Sequence, residues 1–274
     1  MGLSAKKIAA LAYIILLDGL RRHALIGLLA LCLVAQAGGL LCFDFMHRDI
    51  GRASSDFIFS VSWAAGFIFL FFHAVHALSW DEERHVIHTL LARPLSRAEY
   101  VVGIFCGLGA LLLLLNLILG AIGWAILFGI RHSVDPAYFA HFSTAYYTLA
   151  WLGLFAMQLM MLAVIVLFSG LIRGGFAVLL VSLCFYLICS GLPVVRETVA
   201  QQPVGTGVSS GQRLLQGMTA IFPDFGRLDY KNAVVAEKPG ADLRGVFTDF
   251  GLTISYLILT LWLACLVYRR RDLQ

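Results

Sequence analysis

Residues Tyr100 to Ile130 read YVVGIFCGLGALLLLLNLILGAIGWAILFGI, thirty-one residues without one charged side chain. At 1.5 Å of rise per residue the run spans about 46 Å as a helix, while a bilayer core needs about 20 apolar residues. Working outward, five further uncharged runs appear: Ala24–Phe43, Phe57–Leu78, Phe142–Ile172, Gly174–Val195 and Phe250–Tyr268. The pattern predicts an all-α integral membrane protein with six transmembrane helices. Tyr100–Ile130 and Phe142–Ile172 exceed the hydrocarbon thickness, so they must tilt, kink or extend beyond it. Asn116 and Gly120 are the expected break points in the former.

Composition points the same way. Hydrophobic residues make up 60% of the chain and charged residues 13%, against about 25% charged in ordinary soluble domains. A formal net charge of +4 is too mild for a nucleic-acid footprint, so no nucleic-acid partner is expected. The cysteines, at 32, 42, 106, 184, 189 and 265, all sit in apolar runs with no C-x-x-C spacing, which indicates neither a disulfide framework nor a thiolate metal site.

Positive charge sets the orientation, counted over short loops. With the N-terminus inside, eleven Lys and Arg fall on cytoplasmic segments, and three (Arg48, Arg52, Arg131) fall on short outer loops. The remaining six lie between Arg196 and Asp249, matched there by six acidic residues. Both termini are therefore expected in the cytoplasm. Ala24–Val34 followed by Ala35-Gln36-Ala37 imitates a cleavable signal, but the apolar stretch Ile8–Leu17 before it argues against cleavage. Residues 4–22 place Ser4, Lys7, Asp18, Arg21 and Arg22 in one arc of a helical wheel and predict an interfacial helix along the cytoplasmic leaflet.

The inner loop after the second span, residues 81–97, is the most informative. Asp81, Glu82, Glu83 and Arg84 open it, Arg93 and Arg97 close it, and Pro94 ends the helix that this charge order favours. Val86, Ile87, Leu90 and Leu91 give that helix an apolar side of the kind a partner's groove grips.

Here the chain resembles the membrane subunits of ABC-2 type exporters, especially the nitrous-oxide-reductase maturation and sodium/antibiotic-efflux branches. The resemblance rests on Arg21 and Arg22 before the first span, and on Asp81, Glu82, Glu83, Thr89, Leu90 and Leu91. It continues through Pro94, Ser96, Arg97, Tyr100 and Gly103 to the basic tail Tyr268-Arg269-Arg270-Arg271-Asp272-Leu273. His88 stands where the family often has Gly, and Ile104 where it often has Lys, which leaves the branch and the substrate open.

The resemblance implies one ABC-2 type transmembrane domain over residues 1–274, a multi-pass permease of the bacterial inner membrane. It implies that residues 81–97 form a coupling helix docking on a separate ABC ATPase, with Glu82, Glu83, Arg84, Val86, Ile87, Leu90, Leu91, Arg93, Pro94 and Arg97 as contacts. A second permease copy is implied as partner, in a homodimer or a heterodimer, within membrane lipids. The sequence carries no G-x-x-x-x-G-K-[ST] loop, so no cofactor is expected on this chain; ATP and Mg belong to the partner, and the chain itself is not expected to be an enzyme.

Polar residues inside spans are candidates for function. Asn116 and Gln158 are assigned to a possible transport path, although with Gln36 they suit bridging between helices better than touching substrate. His73 with His76, and His85 with His88, share helix faces at i,i+3 and could ligate a metal with Asp81, Glu82 or Glu83. An intramembrane metal-dependent hydrolase using Glu82 or Glu83 is the alternative function, but no later span offers a histidine at the right depth; a non-transporting assembly factor is another. The outer segment 196–249 is long enough to hold structure of its own. Gly211–Phe222 has the spacing of a helix stopped by Pro223, and the segment serves either as short helices at the outer mouth or as a lid on the spans.

Overall fold

In the computed structural model, residues 2–21, 23–43, 50–83, 96–139, 141–200, 222–235 and 243–270 are described. All regular elements among them are helical. They are α1 (Gly2–Arg21), α2 (His23–Phe43), α3 (Ile50–Ile68), a π-helical segment (Phe69–Ala74), α4 (Val75–Glu83), α5 (Arg97–Ser133), α6 (Thr144–Leu171), α7 (Gly175–Ala200) and α8 (Leu243–Arg270). Short 3-10 turns occupy Pro136–Phe139, Phe225–Leu228 and Lys231–Ala233.

Five stretches are long and apolar enough to cross a membrane: Ile50–Ser79, Arg97–Ser133, Thr144–Leu171, Gly175–Val194 and Arg244–Arg270. These mark a membrane protein. The sixth expected span forms the helix α2, in which the described apolar portion, Leu25–Gly38, is shorter than those five.

α5 is the axis of the bundle, touching α1, α2, α3, α6 and α8. It starts on a capping box: Ser96 Oγ accepts the Glu99 N–H at 3.2 Å while Glu99 Oε2 accepts the Ser96 N–H at 2.8 Å. Its buried face carries Leu108, Leu111, Leu112, Leu115 and Leu119, all at 1% exposure or less.

The expected breaks at Asn116 and Gly120 do not occur, and α5 continues for 37 residues through both. Asn116 Nδ2 donates to the Leu112 carbonyl one turn back at 2.9 Å, and the Gly120 carbonyl accepts from Tyr147 Oη at 2.8 Å, so both positions are tied into the bundle.

α1 packs along the first part of α5. Leu11 packs on Gly103, Ala12 and Ile15 on Gly107, and Gly19 on Leu111, so the pairing advances in step along both chains. Whatever the tilt of α5, α1 follows it. Gly103 and Gly107 are required here, because a Cβ at either would run into the α1 side chains. The side of α1 turned from α5 includes Tyr13 and Ile14, each about 60% exposed, so α1 is apolar on more than one face.

α6 and α7 are joined by Ile172, Arg173 and Gly174. Gly174 has φ +94°, a left-handed conformation that glycine adopts at no steric cost, and this ends one helix and reverses the chain into the next. α7 carries Pro193 within it and runs on to Ala200, past the expected boundary at Val195.

Candidate functional site

Three polar arrangements stand out from the apolar packing. The first lies deep in the bundle and joins four helices. Asn116 Nδ2 of α5 donates to Gln158 Oε1 of α6 at 2.7 Å. Gln158 Nε2 donates to the Ser62 carbonyl of α3 at 3.4 Å, and Gln36 Nε2 of α2 donates to Ser62 Oγ at 3.5 Å. Ser62 Oγ in turn donates to the Ile58 carbonyl at 2.8 Å. Gln158 is 0% exposed, Gln36 and Ser62 are 1%, and Asn116 is 5%. Gly66 leaves the room that the Gln158 amide occupies.

Unpaired amides are costly in an apolar interior, so each of these bonds helps fix helix register. Gln36 Oε1 and Asn116 Oδ1 meet no donor among the described residues, which leaves two amide oxygens as acceptors inside the bundle.

The second arrangement closes the end of the bundle where α5 begins. Arg97 Nη1 donates to the carbonyls of Tyr268 and Arg269, both at 3.2 Å, where α8 runs out of intrahelical donors. Tyr268 Oη and Ser169 Oγ of α6 are hydrogen-bonded at 2.9 Å, and the Tyr100 and Tyr268 rings lie 6.3 Å apart. Ser4 Oγ of α1 donates to Glu99 Oε1. Four helices, α1, α5, α6 and α8, are thus tied together within one turn of the α5 N-terminus.

The third lies at the opposite end, where residues 222–235 cap the bundle. Lys231 Nζ bridges Asp56 at 3.2 Å and Asp229 at 3.9 Å, and Arg52 Nη2 donates to Asn232 Oδ1 at 3.4 Å. Arg227 reaches Asp224 at 3.4 Å and Asp249 at 3.8 Å, while Tyr230 Oη donates to Asp249 Oδ2 at 3.1 Å. Burial, together with the charge and hydrogen bond of Asp249, pushes the Tyr230 phenol up to about 12.

Among the sequence candidates, Glu82 and Glu83 end α4, and Arg97 opens α5. Arg84, Val86, Ile87, Leu90, Leu91, Arg93 and Pro94 lie outside the described residues, as do His85, His88, Arg22 and most of Gly211–Phe222. His73 lies in the π-helical segment with its ring stacked on Phe69 at 5.0 Å, and His76 follows in α4. Among the described residues no group of three or more His, Cys, Asp or Glu is placed to hold a metal ion.

Sequence reading missed Ser62, Ser169 and Tyr268 as partners, and missed the pairing of Ser4 with Glu99. Only Ser96-x-x-Glu99 carried a readable signal, that of a capping box. No protein-family model matches the chain, and no curated protein matches it.

Proposed function

We propose that this chain is the permease subunit of an ATP-driven exporter, moving its substrate out of the cytoplasm while a separate ABC ATPase hydrolyses ATP. The observation that carries the reading is the tie at the α5 N-terminus. The segment that resembles a coupling helix leads directly into Ser96 and Arg97, and Arg97 holds the end of α8, whose Tyr268 holds α6. A displacement of residues 81–97 therefore reaches three membrane helices at once, which is what transmission from a partner ATPase to a transport path requires.

The remaining parts of the proposal follow from the same reading. Six spans with both termini cytoplasmic fit the eleven-to-three distribution of positive charge. A second permease copy completes the path, and ATP with Mg resides on the ATPase.

The test is co-purification with a candidate ABC ATPase co-expressed with this chain, followed by ATP hydrolysis and export assays in vesicles. Leu90→Ala with Leu91→Ala should weaken assembly, at about 2 kcal/mol per buried Leu lost. Glu83→Arg should leave binding but uncouple hydrolysis from export. If His85→Gln with His88→Gln abolishes activity while the Leu pair is tolerated, the coupling reading fails and a metal or hydrolytic role takes its place.

A further inference from the structure

A cavity of 460 Å³ opens beneath the 222–235 cap, between α3, α6 and α7. Its aromatic lining comes from Phe59 and Trp63 of α3, Tyr186 of α7 and Phe225 of the cap. Three of these rings form a connected set: Trp63 and Tyr186 centroids are 6.0 Å apart, and Tyr186 and Phe225 are stacked at 6.0 Å with 24° between planes. Charge is confined to the mouth, where Asp229 and Lys231 contribute to the lining. Asp56 stands two turns from Trp63 along α3, about 10 Å toward that mouth.

We propose that this cavity binds a hydrophobic organic cation, with its apolar body among the four rings and its positive centre toward Asp229. Three features select that class. The volume falls in the range of small-molecule sites, about 300–1,000 Å³, whose walls are apolar and whose few polar groups set orientation.

Aromatic faces attract cations, and four rings line this chamber. At the mouth, one ammonium serves two carboxylates: Lys231 sits closer to Asp56, at 3.2 Å, than to Asp229, at 3.9 Å. Asp229 Oδ1 accepts the Lys231 main-chain N–H at 3.3 Å, leaving Oδ2 in the longer ion pair and able to accept from a ligand. Arg52 is directed to Asn232 and does not line the chamber.

The roof is held firmly. The Leu228 carbonyl packs against Gly153 of α6 so closely that a Cβ there would collide with it. Binding of this kind does not depend on the export reading, since it belongs to the chain without an ATPase.

Tetraphenylphosphonium and tetraphenylborate have the same four phenyl rings and opposite charge, so they separate charge recognition from partition into detergent. Equilibrium dialysis of the purified full chain should give saturable binding of one phosphonium per chain, at least tenfold tighter than the borate. Asp229→Asn, at an exposed side chain, should weaken phosphonium binding about five- to tenfold. Ala64→Trp should fill the chamber and remove saturable binding. If that variant does not fold, Asp229→Asn combined with Asp56→Asn decides the matter from the mouth. Equal or tighter borate binding would overturn the proposal, as would phosphonium uptake that is non-saturable or unchanged by the carboxylate variants.

Discussion

Arg97 and Tyr268 are 171 positions apart in sequence, yet the Arg97 guanidinium donates to the Tyr268 carbonyl at 3.2 Å and to the carbonyl of Arg269 at the same distance. An arginine at a helix C-terminus meets both the unsatisfied carbonyls and the negative end of the helix dipole. Because this end of the bundle is partly exposed, Arg97→Ala should cost about 1 kcal/mol rather than the full value of a buried charged bond. Thermal unfolding in detergent reads the loss, and protease cleavage near Arg269 should accelerate. Arg97→Lys should recover part of both, since an ammonium reaches a carbonyl but lacks the fork geometry. Unchanged proteolysis in Arg97→Ala would mean that α8 is held by other contacts.

Gly153 of α6, beneath the 222–235 cap, and Gly251 of α8 form a contrasting pair. A methyl at Gly153 would strike the Leu228 carbonyl, whereas one at Gly251 meets nothing within 4 Å. Gly153→Ala should therefore destabilise by about 1–3 kcal/mol through displacement of the cap. Gly251→Ala, in an open helical position, should stabilise by about 0.5–1 kcal/mol. Opposite shifts in melting temperature are the expected reading, and two shifts of the same sign would remove the close approach as the cause.

Tyr230 supplies a pH dependence. Its phenol is raised to about 12 from 10.0, so the protonated form is favoured in the folded chain. The associated stability is present in full below about pH 10 and is lost as pH rises toward 12. Phenolate absorbance should show one fewer late-titrating group in Tyr230→Phe. Burial, the largest cause, stays in Asp249→Asn, so that variant should bring the group's titration only part of the way down, through loss of the carboxylate charge and its hydrogen bond. An unshifted late phase in Asp249→Asn would assign it to another tyrosine.

The long apolar helices were legible because they rest on local composition: an uncharged run such as Leu111–Leu115 within Tyr100–Ile130 has few alternatives to a membrane helix. What depended on tertiary partners was not. Gly120 looked like a break, but the hydroxyl that engages its carbonyl comes from Tyr147 in another helix. The packing of α1 on α5 was not legible either, because it rests on the small residues Gly103 and Gly107, far along the chain from α1. The π-helical segment Phe69–Ala74 has no breaker to announce it. The ring-lined cavity draws on residues near 60, 150, 190 and 228, so no single window of sequence displays it. Asn116, Gln158 and Gln36 were visible as polar residues in apolar runs, but their common partner Ser62 resembled any small residue of a span.

Orientation is open to direct measurement. In a cysteine-free background, single cysteines replacing Ser96 and Ser209 should differ in intact cells, with an impermeant maleimide reaching position 209 alone. The eleven-to-three charge asymmetry motivates this expectation. Labelling of position 96 from outside would invert the chain and exclude residues 81–97 from a cytoplasmic coupling role.

The buried amide pair distinguishes a structural bridge from a transport path. Asn116 Nδ2 and Gln158 Oε1 meet at 2.7 Å between α5 and α6, with both side chains nearly inaccessible. Asn116→Leu alone strands the Gln158 oxygen, and Gln158→Met alone leaves the Asn116 amide with the Leu112 carbonyl as its one acceptor, so each should cost about 1–2 kcal/mol. The double variant leaves neither group stranded and should be more stable than the sum of the single losses predicts. A double-mutant cycle on melting free energies should then give a coupling of at least about 0.5 kcal/mol. Transport measured on the same double variant assigns the role. If the pair only fixes helix register, the apolar replacement keeps both fold and flux. If the amides line the path, the fold survives while flux falls, because the two polar groups and the acceptor at Asn116 Oδ1 are gone together. Additive losses in the cycle would instead show that the two amides are not coupled, and the bridge itself would have to be abandoned.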